Sequence, residues 1–474
     1  MKNYLGQTLG LTVLVVALLF ALSMWRTPGQ ALGLALKPMD IFAAVRRDVP
    51  ATPESLPYLP AAGDTSWIGD STLMTPEVSD TVVGDAQFAV APPVDTGYFG
   101  RIIEDYTPDR LGLAAFFSVI DSIESHQRSV RIAFFGDSFV EGDLVLGDLR
   151  DTLQGIWGGR GVGFLPITEV SPGFRRTGNM QFDGWKTYSI VQKEPVRMPF
   201  GINGYVYVPS GDATFHFAGS KWYRNTRQWS RVRLLYQTPA QRQVYYRTNG
   251  SPEYNLPLPG TGGRVGQALL QQPGMYDVRL RFPETDSLWV YGISLEDGPG
   301  IYVDNFSVRG NSGIGLRRIP VETARRFDAL LHYDLVIVQF GLNAATAYWT
   351  PAKLDWYRKE LQRTYAHLRA CFPGRPIMVF SIGDRAGKVN GELMTMPSVI
   401  SIAGMQRDLA RENGFLYFDL FHAMGGPGAM VRLAAMEPPE ASKDFTHLSH
   451  AGGRRVGRRI AQVLIETYQQ YRTQ

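Results

Sequence analysis

The segment RIAFFGDSFVEGDLVLGDLRDTLQ (Arg131–Gln154) decides the fold. It begins inside VRIAFF (130–135), a continuous apolar run of strand length, as expected of a strand buried on both faces. Gly136-Asp137-Ser138 breaks the run, and helical spacing resumes with Leu144, Leu146, Leu149 and Leu153. A serine at such a junction has two readings. A tight turn exposes its hydroxyl at the sheet edge as a nucleophile, or the same hydroxyl caps the following helix. The choice depends on partners elsewhere in the chain.

Working outward, LGLAAFFSVIDSI (111–123) has helical spacing, and short apolar strands recur at 305–310, 334–340, 376–382 and 415–420. Helical stretches lie near 351–370, 398–413 and 451–471. Strands alternating with helices predict a parallel sheet covered on both faces. Between about 165 and 300 the pattern changes to period-2, aromatic-rich runs such as GYVYVP, ATFHFAG and SLWVYGISL, which predict a β-sandwich of jelly-roll type. Because α/β segments lie on both sides of it, this β-region is expected to be an insertion within the α/β domain.

The chain of 474 residues, 44% hydrophobic, is long enough for two or three domains. A net charge of +4 without a dense Lys/Arg run gives no case for nucleic acid as a partner. The single cysteine, Cys371, excludes an intrachain disulfide and a cysteine zinc site. No charge occurs between Lys2 and Arg26, and LGLTVLVVALLFALSMW (9–25) is long enough to cross a bilayer. We read 1–26 as a membrane anchor, with a signal peptide cleaved at Ala21–Ser23 as the alternative. Residues 27–105 read as a Pro-rich spacer, in which a second Gly-Asp-Ser (69–71) is only a turn. The remaining divisions are 106–165 and 301–474 for the α/β domain and 166–300 for the inserted one.

Chemistry in an open α/β sheet sits at the carboxyl ends of its strands. Four loops there carry suitable residues: Ser138, the glycine-rich RGNSGIG (309–315), GLNAA (341–345), and DFTHLSHAGG (444–453). A serine nucleophile needs a base, the base needs a carboxylate, and the tetrahedral intermediate needs N–H donors. Each residue also has a plain reading: Asp444 as a loop cap, His447 as a satisfied polar residue, Asn343 as a turn residue, Gly313 as a positive-φ position. Their joint occurrence at strand ends favours the chemical reading. Glu141 and Asp143 are expected to complement a helix dipole, and 421–436 to be a plain connector, with a flexible wall of the site as the alternative. His447 and His450 lack a third ligand, so no metal is expected, and with no phosphate loop no cofactor is expected.

FFGDSFVEGD, VQFGLNAA and DFTHLSHAGGRRV resemble the first, third and last blocks of the SGNH (GDSL) hydrolases, and VRGNSG resembles the second. Gly161 and Gly163 are weaker candidates for that block. The split by a β-module resembles the envelope peptidoglycan and polysaccharide O-acetylesterases of the family. The resemblance implies a flavodoxin-like parallel sheet between helices, with Ser138 as nucleophile, His447 as base and Asp444 orienting it. It implies an oxyanion hole of the Ser138 and Gly313 N–H groups and the Asn343 amide, with Gly310 as second choice, and Asp137 supporting the turn. The implied enzyme removes acetyl groups from a glycan on the periplasmic side of the inner membrane, held by its N-terminal helix, with a membrane acyltransferase as partner. An O-acetyltransferase using the same acyl-serine, and a non-catalytic glycan-binding protein, are the alternatives.

Overall fold

The computed structural model describes residues 30–31, 34–35, 102–192, 197–283 and 287–473. The expected N-terminal helix and nearly all of the expected spacer lie outside them. Among the described residues no helix is long and apolar enough to cross a membrane. A short antiparallel pair, Gln30–Ala31 with Leu34–Ala35, belongs to a separate N-terminal unit.

The main body opens with β1 (Ile103–Asp105), inside the stretch read as spacer, and α1 (Gly112–His126). The opening segment forms β2 (Ser129–Gly136) and α2 (Leu146–Trp157). Nine antiparallel strands follow: β3 (Arg160–Leu165), β4 (Gly178–Ser189), β5 (Tyr205–Gly219), β6 (Trp229–Gln237), β7 (Arg242–Thr248), β8 (Tyr254–Leu258), β9 (Gly266–Met275), β10 (Asp277–Phe282) and β11 (Trp289–Asp297). The α/β pattern returns with β12 (Gly300–Ser307), α3 (Val321–Leu331), β13 (Leu335–Gln339), α4 (Pro351–Cys371) and β14 (Ile377–Phe380). A hairpin, β15 (Ala386–Val389) and β16 (Glu392–Thr395), precedes α5 (Pro397–Glu412) and β17 (Leu416–Phe418). Two short helices, α6 (Leu420–Ala423) and α7 (Ala429–Ala434), lead to α8 (His450–Thr473).

The first sheet has the order β12-β2-β13-β14-β17-β1, parallel throughout except for β1 at the edge. Numbered along the chain, its parallel strands run 2-1-3-4-5, the flavodoxin-like order. The crevice of such a sheet lies where the order reverses, between the first and third strands. Here those are β2 and β13, the strands before Ser138 and Asn343. Apolar runs fill both faces, and rings on adjacent strands pack together: Phe135 on Phe306 at 5.1 Å and Phe380 on Phe418 at 4.2 Å.

The antiparallel strands enclose a separate apolar cluster that includes Tyr207, Phe215, Phe217, Trp229 and Val290. They form two runs, β4-β5-β10-β7-β8 and β3-β11-β6-β9, joined by the pair Val290↔Tyr207. Gly161 and Gly163 lie in β3, and their role is close packing. A Cβ on Gly163, at φ +73, would lie 2.5 Å from the Asp304 carboxylate. That carboxylate accepts from the Phe164 N–H at 2.9 Å and pairs with Arg131 at 2.8 Å. Arg131 also pairs with Glu296 at 2.7 Å, so one buried guanidinium links β2, β12 and β11.

Candidate active site

The helix after the nucleophile motif starts later than its leucine spacing suggests. Ser138 is followed by a turn and a short 3-10 piece, Glu141–Asp143; α2 begins at Leu146 with Val145 at its cap position. Ser138 therefore does not cap α2, and the capping reading of its hydroxyl falls. Asp137 stabilises the turn, its Oδ1 accepting the Phe139 N–H at 2.9 Å.

Ser138 is 8% exposed, and its Oγ lies 3.2 Å from His447 Nε2. His447 Nδ1 lies 2.6 Å from Asp444 Oδ2. The DFTH turn folds around its own carboxylate: Asp444 Oδ1 accepts the N–H groups of Thr446 at 3.0 Å and His447 at 3.1 Å. Burial opposes ionisation of Asp444, but the His447 imidazole and these two N–H groups hold its carboxyl well below the usual range. The imidazole is thereby oriented with Nε2 toward the serine.

The position of the final helix brings His447 to Ser138. On α8, Gly453 and Gly457 are one turn apart. A Cβ on either would lie 2.3 Å from the Leu144 carbonyl oxygen or 2.2 Å from that of Val145. The absence of side chains lets α8 press directly on the backbone that follows Ser138.

The three expected oxyanion residues lie around this turn, and two of them, Asn343 and Gly313, have partners already. Asn343 Nδ2 donates to Asp137 Oδ2 at 3.2 Å and to the Asn311 carbonyl at 3.1 Å. The Gly313 N–H donates to Asn311 Oδ1 at 2.9 Å, with Gly313 at φ +95. Donation by Asn343 or Gly313 to a reaction intermediate thus requires a change of partner. Gly310 also has positive φ, +79, with open space where a Cβ would be. Burial pushes the Asp137 carboxyl up to about 7, against the Phe139 N–H, His447, Arg385 and Asn343, which favour its charge. The sequence reading missed Arg385, whose Nη1 donates to the carbonyls of Leu342 at 2.7 Å and Ala345 at 2.9 Å and so fixes the Asn343 turn. Arginine after a strand has no spacing signature that would reveal this.

The helix-dipole expectation is corrected. Asp143 does not serve a helix dipole: it is buried and pairs with Arg150, at 3.1 Å, and Arg175, and accepts from Asn305 at 2.9 Å and Thr177 at 2.8 Å. These guanidinium groups hold its carboxyl well below the usual range despite burial. Glu141 pairs with Arg309 at 2.6 Å. Residues 421–436 form α6, α7 and their connections, with Met424 and Met430 buried, and line no part of the site cavity. That cavity, of about 460 Å³, is lined by Ser138, Glu141, Glu169, Phe174, Arg309 and His447 among others. Glu169 and Phe174 come from the β3–β4 connection. Burial raises the Glu169 carboxyl, while Arg175 acts against it. His450 stacks on Phe174 with centroids 4.3 Å apart, and among the described residues no group of His, Cys, Asp and Glu is arranged to hold a metal.

Residues 289–455 match the GDSL-like Lipase/Acylhydrolase family. The match spans about a third of the chain, and the class of protein it supports is a serine ester hydrolase. No curated protein sequence matches the chain significantly. Among solved structures, one described as a peptidoglycan O-acetylesterase in action is 20% identical; the match covers 78% of this chain and 99% of that one at a TM-score of 0.63. The likeness shows a shared fold. An acetylxylan esterase from Geobacillus stearothermophilus is 18% identical over 35% of this chain and 73% of its own, at a TM-score of 0.26. A family two carbohydrate esterase from Cellvibrio japonicus is 10% identical over 60% and 99%, at 0.24.

Proposed function

We propose that the protein is an esterase that removes acetyl groups from a glycan through Ser138, His447 and Asp444. The carrying observation is the continuous relay from Asp444 Oδ2 through His447 to Ser138 Oγ, at 2.6 and 3.2 Å, on the floor of an open cavity. His447 Nε2 takes the Ser138 proton as Oγ attacks the ester carbonyl. The oxyanion that forms is met by the Ser138 N–H, with Asn343 and Gly313 recruited from their resting partners. Collapse breaks the ester C–O bond, and His447 returns the proton to the departing sugar oxygen. Water, deprotonated by His447, then releases acetate and restores the serine.

The cavity lining carries polar and charged side chains that could meet the hydroxyls of a glycan. Of its fourteen residues, Leu144, Phe174 and Leu448 are the apolar ones; the rest are polar, charged or glycine. The antiparallel strands read as a jelly-roll-like inserted module that holds the polymer, since its β3–β4 connection reaches the cavity. Residues 1–26 are proposed to tether the enzyme on the periplasmic side of the inner membrane, with an acyltransferase of that membrane supplying the acetylated glycan. An acyl-chain-length series tests the substrate: acetyl esters should exceed octanoyl esters in kcat/KM. A wide margin for octanoyl would overturn the acetyl reading, and acetate release only with an acceptor sugar present would replace hydrolysis by transfer.

A further inference from the structure

We propose that Phe174 is a stacking platform for the sugar ring that carries the ester; the proposal rests on the glycan esterase reading above. Phe174 is 38% exposed, although the cavity it lines also contains Ser138 and His447. A large apolar ring left half in water beside a nucleophile is available surface for a ligand.

The ring is held in place on several sides. It stacks on His450, with centroids 4.3 Å apart and planes at 27°. Its Cδ1 lies 3.5 Å from where a Cβ on Gly142 would be, so a side chain at 142 would meet the ring edge. The backbone around it is a single tight turn, Pro172–Phe174, in which the Phe174 N–H donates to the Ser171 carbonyl at 3.0 Å and the Arg175 N–H to that of Pro172 at 3.2 Å. The next residue, Arg175, is 5% exposed and paired with both Asp143 and Glu169. Thr177 donates to the same Asp143 carboxylate at 2.8 Å. Asp143 itself lies just beyond the nucleophile turn. A buried ionic cluster thus fastens a loop of the antiparallel region to the backbone next to Ser138, and Phe174 stands out from the fastened part. Binding to it would require little ordering of the loop, which leaves more of the contact energy for the ligand.

The surroundings suit a pyranose. Such a ring presents C–H groups on its faces and hydroxyls around its rim. Around Phe174 the cavity offers the Glu141–Arg309 pair, the Glu169 carboxylate and the hydroxyls of Ser171, Ser442 and Ser449. The cavity, about 460 Å³, is in the size range of sites for multi-ring ligands and larger than a two-carbon acyl group needs. The platform therefore takes the alcohol side of the ester, and the antiparallel region contributes to choosing the sugar.

The test compares wild type, Phe174→Ala and Phe174→Trp on O-acetylated chitotriose and on ethyl acetate, whose alcohol side has no ring. In Phe174→Ala the ratio of kcat/KM on the trisaccharide to that on ethyl acetate should fall about ten-fold, the size of one lost aromatic contact, and the fall should lie in KM. Phe174→Trp should restore the ratio. Equal losses on both esters, or no recovery with Trp, would make Phe174 a support of the loop and overturn the platform. A wild type inactive on both esters would instead remove the esterase reading on which the platform stands.

Discussion

At the scale of single residues, the relay makes distinct demands on each member. His447→Ala should lower kcat on a small acetyl ester by roughly 10⁴-fold, since loss of one member disables a unit that acts together. Asn343→Ala should cost roughly 10²–10³-fold in kcat, as one oxyanion donor is removed. Because the Asn343 amide also holds Asp137, the variant should lose some thermal stability too, and calorimetry would detect it. Asp444 gives a pH signature. Its folded-state pKa is depressed, so its contribution to stability is present above the ordinary carboxylate range and is lost as pH falls through the folded value. The Tm advantage of wild type over Asp444→Asn should thus be larger at about pH 7 than at about pH 3. The side chain is half-exposed, so the difference should be small; a constant advantage across this range would contradict the assignment. Ser138 and Asn343 were legible in sequence because each lies in a short block at a strand end, and Asp444 and His447 because they lie in a short block just ahead of the last helix. Arg385 and Phe174 were not, since their roles arise from tertiary contacts with no fixed spacing.

At the scale of elements, the last helix reaches the nucleophile turn only through its glycines. A helical Gly→Ala change ordinarily stabilises by about 1 kcal/mol. Gly404 on α5, with open space around it, should follow that rule. Gly453→Ala and Gly457→Ala should reverse it, destabilising by about 1–3 kcal/mol, because the new methyl meets a backbone carbonyl that cannot rotate away. Thermal melts of the three variants measure this, and equal stabilisation of all three would refute the close-packing account. The buried cluster of Arg175 makes a similar demand. Arg175→Met would leave Asp143 and Glu169 without one of their cations in a buried setting, a change of about 3–5 kcal/mol. Several helix and strand positions in the α/β part follow the periodicity closely, as α4, expected near 351–370, spans Pro351–Cys371, whereas β12, expected at 305–310, spans Gly300–Ser307 and α3 was not foreseen. The short edge strand β1 and the β15–β16 hairpin have too few residues to show a period.

At the scale of the whole molecule, the strand order 2-1-3-4-5 turns a list of motifs into one site, because it sets the ends of β2 and β13 side by side. The alternation of strands and helices made that sheet legible. The pairing of the antiparallel strands was not legible, since long-range partners leave no local mark in the chain; even β3, next to α2 in sequence, pairs with β11. The central claim is that this site acts through a serine nucleophile. The direct measurement is steady-state hydrolysis of para-nitrophenyl acetate by wild type and Ser138→Ala, each checked by circular dichroism for an intact fold. The account expects turnover by wild type and a loss of about 10⁴-fold or more in the variant. Undiminished turnover by a folded Ser138→Ala protein would contradict it.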